Sequence, residues 1–137
     1  MSQFKPHLIL VEDDHELAHF YAEVAFENGW QVTRCSTGYE LIDTLKVDPG
    51  PAMLLIDVHL PEMDGIEVID HISHLASSLR IRFVTGGEAA YIIAARMIAD
   101  ARSLNTGRNL FKPVSAEDLS TLLHSEEMEL QRLAACA

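Results

Sequence analysis

The sequence predicts an α/β fold, a five-stranded parallel sheet in the order 2-1-3-4-5 with helices on both faces. Three observations carry this expectation. Five short apolar runs alternate with five longer segments whose apolar residues recur at helical spacing. The turns between them are short, and strand–helix–strand units joined that way pair in parallel with right-handed crossovers. Several of the apolar runs end in acids or in a glycine-rich turn, as expected where strand ends form a chemically active sheet edge.

The first strand is His7 to Val11 (HLILV), and it leads into Glu12, Asp13 and Asp14. From about Asp14 to Asn28 the residues Leu17, Phe20, Tyr21, Val24 and Ala25 define a helical face, and Asn28-Gly29 supplies a stop. Gln31 to Cys35 reads as the second strand. Ser36 or Thr37 can cap a helix over Tyr39 to Val47 with Leu41, Ile42 and Leu45 inward, closed by the turn Asp48-Pro49-Gly50-Pro51. Met53 to Ile56 is continuously apolar, which suits a central strand buried on both faces, and it delivers Asp57 to its carboxyl end.

Gly65 to Leu75 places Ile66, Ile69, Ile72 and Leu75 at helical spacing, and Ile81 to Val84 is a fourth strand ending in Thr85-Gly86-Gly87. Glu88 to Leu104 reads as a long helix with Ile93, Met97, Ile98, Ala101 and Leu104 inward, ended by Asn105-Thr106-Gly107. A short fifth strand, about Asn109 to Phe111, leads to Lys112-Pro113. Ser115 and Asp118 form a capping box for a last helix whose apolar face is Leu119, Leu122, Leu123, Leu130 and Leu133. The expected topology is flavodoxin-like and doubly wound.

At 137 residues the chain is long enough for one domain with a substantial core. No apolar run approaches a membrane span and no signal-peptide pattern opens the chain, so the expectation is a cytoplasmic protein without a membrane partner. Cys35 and Cys136 lie far apart, in no metal-type spacing, and read as free thiols. A net charge of −11 argues against direct nucleic-acid binding, which needs a basic patch, and fits a binder of cations or basic partners.

In the predicted strand order the first and third strands are neighbours at the switch point, so Glu12, Asp13 and Asp57 share one crevice. Two carboxylates ~4 Å apart at an effective dielectric near 20 repel by about 4 kcal/mol, which calls for a cation or a proton. Magnesium suits a small open acid cluster, because it takes one or two carboxylates and completes its octahedron with water and phosphate. Thr85 adds a hydroxyl, Gly86 an amide and Lys112 an ammonium on the other side of Asp57. A carboxylate between a cation and such donors can act as a nucleophile toward phosphorus.

With these motifs the chain resembles the receiver domain of two-component response regulators. The likeness spans about residues 7 to 124 and rests on LILVEDD, the Asp57 block running through LPEMDG, FVTGG and NLFKPV, in that order. The resemblance implies that Asp57 accepts a phosphoryl group from a sensor histidine kinase, a phosphotransfer protein or a small phosphodonor. It implies that Asp13 is the principal magnesium ligand, that Glu12 acts largely through water, and that the backbone carbonyl of His59 is a third protein ligand. Thr85 matches the switch hydroxyl and Lys112 the lysine that pairs with the phosphoryl group, with a cis Lys112-Pro113 bond. Such a protein is a signalling switch rather than an enzyme, limited to its own phosphorylation and dephosphorylation.

Two departures from the family pattern bear on output. Asn109 stands where the family usually has Tyr or Phe, and the interval from Thr85 to Lys112 is several residues longer than usual. The expected output route is therefore the fourth helix, toward an output domain, a partner protein or a second copy in a homodimer. Residues 1–124 are assigned to the receiver domain, and residues 125–137 to a C-terminal helical extension or the start of a linker. With no output domain after Ala137, the expectation is a free-standing receiver or the excised receiver of a longer protein.

Other classes fit less well. A haloacid-dehalogenase-like phosphatase wants an Asp two residues after its nucleophile, where this chain has His59. A flavodoxin-type carrier needs a phosphate-cradling loop after the first strand, where this chain has acids. The pairs His15/His19 and His71/His74 have ligand-like spacing but no fixed third ligand, and read as solvated helix faces. The runner-up is a degenerate receiver serving as a phosphorylation-independent protein-binding module.

Overall fold

β1 (His7–Val11), β3 (Ala52–Asp57) and β4 (Leu79–Thr85) form the centre of a parallel sheet. The structure, a computed structural model, describes residues 4–75, 78–87 and 89–136. The expected helix start at Glu88 and the thiol of Cys136 lie outside the described residues and side chains. β2 (Gln31–Cys35) flanks β1. On the far edge two short segments, β5 (Asn105–Thr106) and β6 (Leu110–Phe111), both pair with β4, completing the order 2-1-3-4-5 expected from sequence. Every residue of β3 is buried, as its uninterrupted apolar run requires.

The sheet separates two cores. α2 (Gly38–Thr44), α3 (Gly65–Ile72) and α4 (Ala89–Ala101) cover one face, packing Leu41, Ile69 and Ile92 on Ile9, Leu54 and Phe83. α1 (His15–Glu27) and α5 (Ala116–Cys136) cover the other, packing Tyr21, Leu119 and Leu123 on Leu8, Leu10 and Leu55. Successive strand residues point to opposite faces, so each strand feeds both cores. The helix starts are capped locally: Asp14 on α1, Thr37 on α2, Asp64 on α3, and Ser115 bonding the Asp118 amide on α5.

Three sequence expectations need correction. On α4 the buried residues are Ile92, Ala95 and Ala99, while Ile93, Met97 and Ala101, expected inward, face solvent. The helix is apolar nearly all round, so spacing alone does not choose its inner face; contact with α3 and the sheet does. The helix over Gly65 to Leu75 changes at Ser73–Leu75 into a 3-10 turn. The stretch Asn105-Thr106-Gly107, read as the stop of the fourth helix, instead carries a further strand, β5, which keeps to β4 because the Gly107 amide donates to the Ile81 carbonyl at 2.9 Å.

α5 runs unbroken past residue 124. Glu126 on it is buried and paired with Arg80 Nε at 2.6 Å and Arg82 Nε at 2.8 Å, both from β4, and Leu130 is buried one turn further on. Burial alone opposes the Glu126 charge, yet the two guanidinium groups hold its pKa below the ordinary carboxylate value.

Candidate functional site

The carboxyl ends of β1, β3, β4 and β6 meet at one edge. Val11 is level with Ile56, Asp57 with Val84, and Thr85 with Phe111, so the residues ending or just following each strand converge. Glu12 follows β1 and its amide donates to the Cys35 carbonyl at 3.1 Å. Asp14 turns away to cap α1, leaving Glu12 and Asp13 at the edge, as expected. Asp57 ends β3. Immediately beyond it α3 begins close to the backbone: a Cβ on Gly65 would stand 2.9 Å from Val58 Cα, so only glycine fits that approach.

Lys112 reaches in from the end of β6. Its amide donates to the Thr85 carbonyl at 2.8 Å, its stem lies against Gly86, and the Lys112-Pro113 bond is cis. Nζ donates to Asp57 Oδ2 at 2.6 Å and stands 3.0 Å from Glu12 Oε1. The second contact is one of charge only, because Glu12 Oε1 is buried and accepts no hydrogen bond. Asp57 Oδ1 accepts from the His59 amide at 2.8 Å. Thr85 is fully buried, and its Oγ1 accepts from the Gly87 amide at 2.9 Å.

One ammonium faces two buried carboxylates. Burial pushes the Glu12 pKa up to about 7, with the Asp57 charge adding to the rise and Lys112 opposing it. Burial also works against the charge of Lys112, but Asp57 and Glu12 outweigh it and raise its pKa. Asp13 is exposed at the rim. Glu12, Asp13 and Asp57 each offer a carboxylate oxygen within 4.8 Å of the others, the one such acid or histidine group among the described residues. His15, His19, His71 and His74 belong to no such group, and His19 instead lies 3.4 Å from Glu23.

Two neighbours of the site are invisible to sequence reasoning. Tyr21 on α1 is fully buried with an unpartnered hydroxyl, and burial, reinforced by the nearby carboxylates against Lys112, lifts its pKa to about 12. Helical spacing marks it only as a core residue. Tyr91 on α4 stacks on His59, with ring centroids 4.8 Å apart, and donates to Asp64 Oδ2 at 2.5 Å. No spacing rule joins residues 59, 64 and 91. Asn109, the departure at the aromatic position, is half-buried with an unpartnered Oδ1, so its amide replaces neither the bulk nor the apolar character of a ring.

Oxygen donors of this kind, in a small cluster opening to solvent, fit a hard divalent cation, and the proton or cation that three acids demand has a place to sit. A carboxylate so held, with an ammonium on one oxygen and an amide on the other, has the setting of a phosphoryl acceptor.

Comparison with known proteins identifies the family. The family model described as the response regulator receiver domain matches residues 8–124. The response regulator receiver protein CpdR of Brucella abortus is 30% identical over 112 residues, covering 82% of this chain and 88% of that protein. The transcriptional regulatory protein TctD of Salmonella typhimurium is 30% identical over 120 residues, covering 86% of this chain, which spans half of that longer protein. The signal receiver domain of a Luxo repressor protein from Vibrio parahaemolyticus has the same fold, with a TM-score of 0.79 at 20% identity over 97% of this chain and 98% of that one. Glu126 and Leu130 therefore lie beyond the matched family residues, yet inside the packed structure. The chain belongs to the receiver domains of the two-component response regulators.

Proposed function

We propose that Asp57 accepts a phosphoryl group and that the protein works as a phosphorylation-driven switch. The observation that carries this reading is the placement of the Asp57 carboxylate, bonded at 2.6 Å to Lys112 and at 2.8 Å to the His59 amide beside two further acids. A carboxylate oxygen of Asp57 attacks phosphorus, the bond from phosphorus to the donor breaks, and the donor leaves with that electron pair. The Lys112 ammonium offsets charge on the phosphoryl oxygens, and the Gly86 amide serves as a further donor. Asp13, Asp57 and the His59 carbonyl would hold magnesium, with Glu12 acting through water. Bound there, magnesium supplies charge that draws the phosphoryl oxygens toward Asp57.

The phosphodonor of this reading is a sensor histidine kinase, a phosphotransfer protein or a small acyl-phosphate-type donor. Output runs through α4, where Ile93 and Met97 are 51% and 67% exposed, toward a partner, an output domain or a second copy. A solved relative, the beryllofluoride-activated receiver domain of NtrC4, is a dimer. Action in the cytoplasm suits this role, and no helix among the described residues is long and apolar enough to cross a membrane. The protein acts as a switch rather than an enzyme. The presence of Asp57, Lys112, Thr85 and both acids weighs against a phosphorylation-independent binding module.

The test is intact mass after incubation with magnesium and a small phosphodonor. One phosphoryl group, lost in strong acid, in base and to hydroxylamine, is expected on the wild type and none on Asp57→Asn. Phosphoryl transfer to that variant would overturn the assignment.

A further inference from the structure

The geometry points to a His59–Tyr91–Asp64 clasp that holds the start of α4 in its unphosphorylated position and must open when Thr85 turns to the phosphoryl group. This inference rests on the phosphoacceptor reading of Asp57. The chain lacks an aromatic residue at position 109, so the coupling of Thr85 to the protein surface has to run through other contacts. Tyr91 provides them. It sits in the first turn of α4, its ring stacks on His59 at 4.8 Å and an interplanar angle of 27°, and its hydroxyl donates to Asp64 Oδ2. Asp64 is simultaneously the cap of α3, accepting from the Glu67 amide at 2.8 Å. One side chain thus ties α4 to the loop after Asp57 and to the head of α3.

The clasp also reaches the switch hydroxyl. A Cβ on Gly87 would stand 2.8 Å from His59 Nε2, so the imidazole lies directly against the Gly87 backbone, with Tyr91 on its ring face. The Gly87 amide in turn donates to Thr85 Oγ1 at 2.9 Å. When that hydroxyl turns toward a phosphoryl group on Asp57, the Gly87 bond is given up and the backbone supporting His59 moves. His59 is coupled to the acceptor from the other side, since its amide donates to Asp57 Oδ1. A group on Asp57 therefore disturbs the imidazole from both directions, and the stack with Tyr91 is the contact that differs between the two states. Only such differential contacts can shift a two-state equilibrium.

Tyr91 is accordingly a positioning residue, and its removal should favour the activated state. The probe is magnesium with beryllofluoride, titrated against the full chain and read by amide resonances. Tyr91→Leu, which loses stack and hydroxyl, should bind the mimic about fivefold to a hundredfold more tightly than wild type, the range set by one aromatic pair and one hydrogen bond together. Tyr91→Phe keeps the stack and should gain less, about twofold to tenfold, the share of one hydrogen bond. In free Tyr91→Leu, the Thr85 and Lys112 amide resonances should lie part of the way toward their mimic-bound positions in wild type. Unchanged or weaker mimic binding by Tyr91→Leu, with those resonances at the free wild-type positions, would overturn the clasp while leaving Asp57 as acceptor. A wild type that binds no mimic would instead remove the phosphoacceptor reading and the clasp with it.

Discussion

Magnesium binding should release a proton near neutral pH, and Glu12 should be its source. Lys112 Nζ bonds Asp57 at 2.6 Å and only approaches Glu12 at 3.0 Å, so a single ammonium is shared unequally between two buried acids. Burial raises Glu12 to about 7, which leaves it about one tenth ionised at pH 6, half at pH 7 and nine tenths at pH 8. A metal ligand must be deprotonated, so the apparent affinity should rise about tenfold from pH 6 to pH 8, or about 1.4 kcal/mol. Calorimetry in two buffers of different ionisation enthalpy should count about half a proton released per ion at pH 7. Glu12→Gln should bind more weakly and with no pH dependence over this range. An affinity that is flat from pH 6 to pH 8 in the wild type would show that Glu12 is already ionised and refute the reasoning.

The same shift has a stability consequence. A folded-state pKa raised from 4.5 to about 7 contributes stability that is complete below the unfolded value and lost as pH rises through the folded one. At pH 8 the metal-free protein should therefore lack about 3 kcal/mol that Glu12 supplies at acid pH, and millimolar magnesium should restore part of it.

Lys112→Ala removes the ammonium between Asp57 and Glu12, so phosphorylation by a small donor should slow by at least tenfold, read from the rate of mass gain. Thr85→Ala should accept the phosphoryl group at near wild-type rate but lose the accompanying shifts in α4 amide resonances; equal loss of phosphorylation in both variants would contradict this division. Glu126→Gln leaves Arg80 and Arg82 facing a neutral group and should cost about 3 kcal/mol in urea unfolding, or about 10 °C in Tm. Because the Glu126 pKa is lowered, its contribution is present above about pH 4.5 and fades as pH falls through the folded value, so the gap between wild type and Glu126→Gln should close in acid.

Much of this molecule is legible along the chain. Strand and helix periods, the caps Thr37 and Ser115, and the run of buried residues into Asp57 are local properties, set by the next few residues and by turn chemistry. Parallel order follows from short crossovers, and that order alone brings Glu12, Asp13 and Asp57 to one edge. Local pattern fails where several answers satisfy it equally. α4 is apolar on more than one side, so the tertiary contact with α3 and the sheet decided that Ile92 is buried and Ile93 is not. β5 is invisible as a strand in Asn105-Thr106, since two polar residues carry no strand pattern and their pairing with β4 is a tertiary contact. The pairing of Glu126 with Arg80 and Arg82, and of Tyr91 with His59 and Asp64, joins residues tens of positions apart. Sequence determined which groups the chain carries to the sheet edge; only the packed structure decided that Lys112 bonds Asp57 at 2.6 Å and that burial raises the pKa of Glu12, because burial and distance are properties of the whole fold.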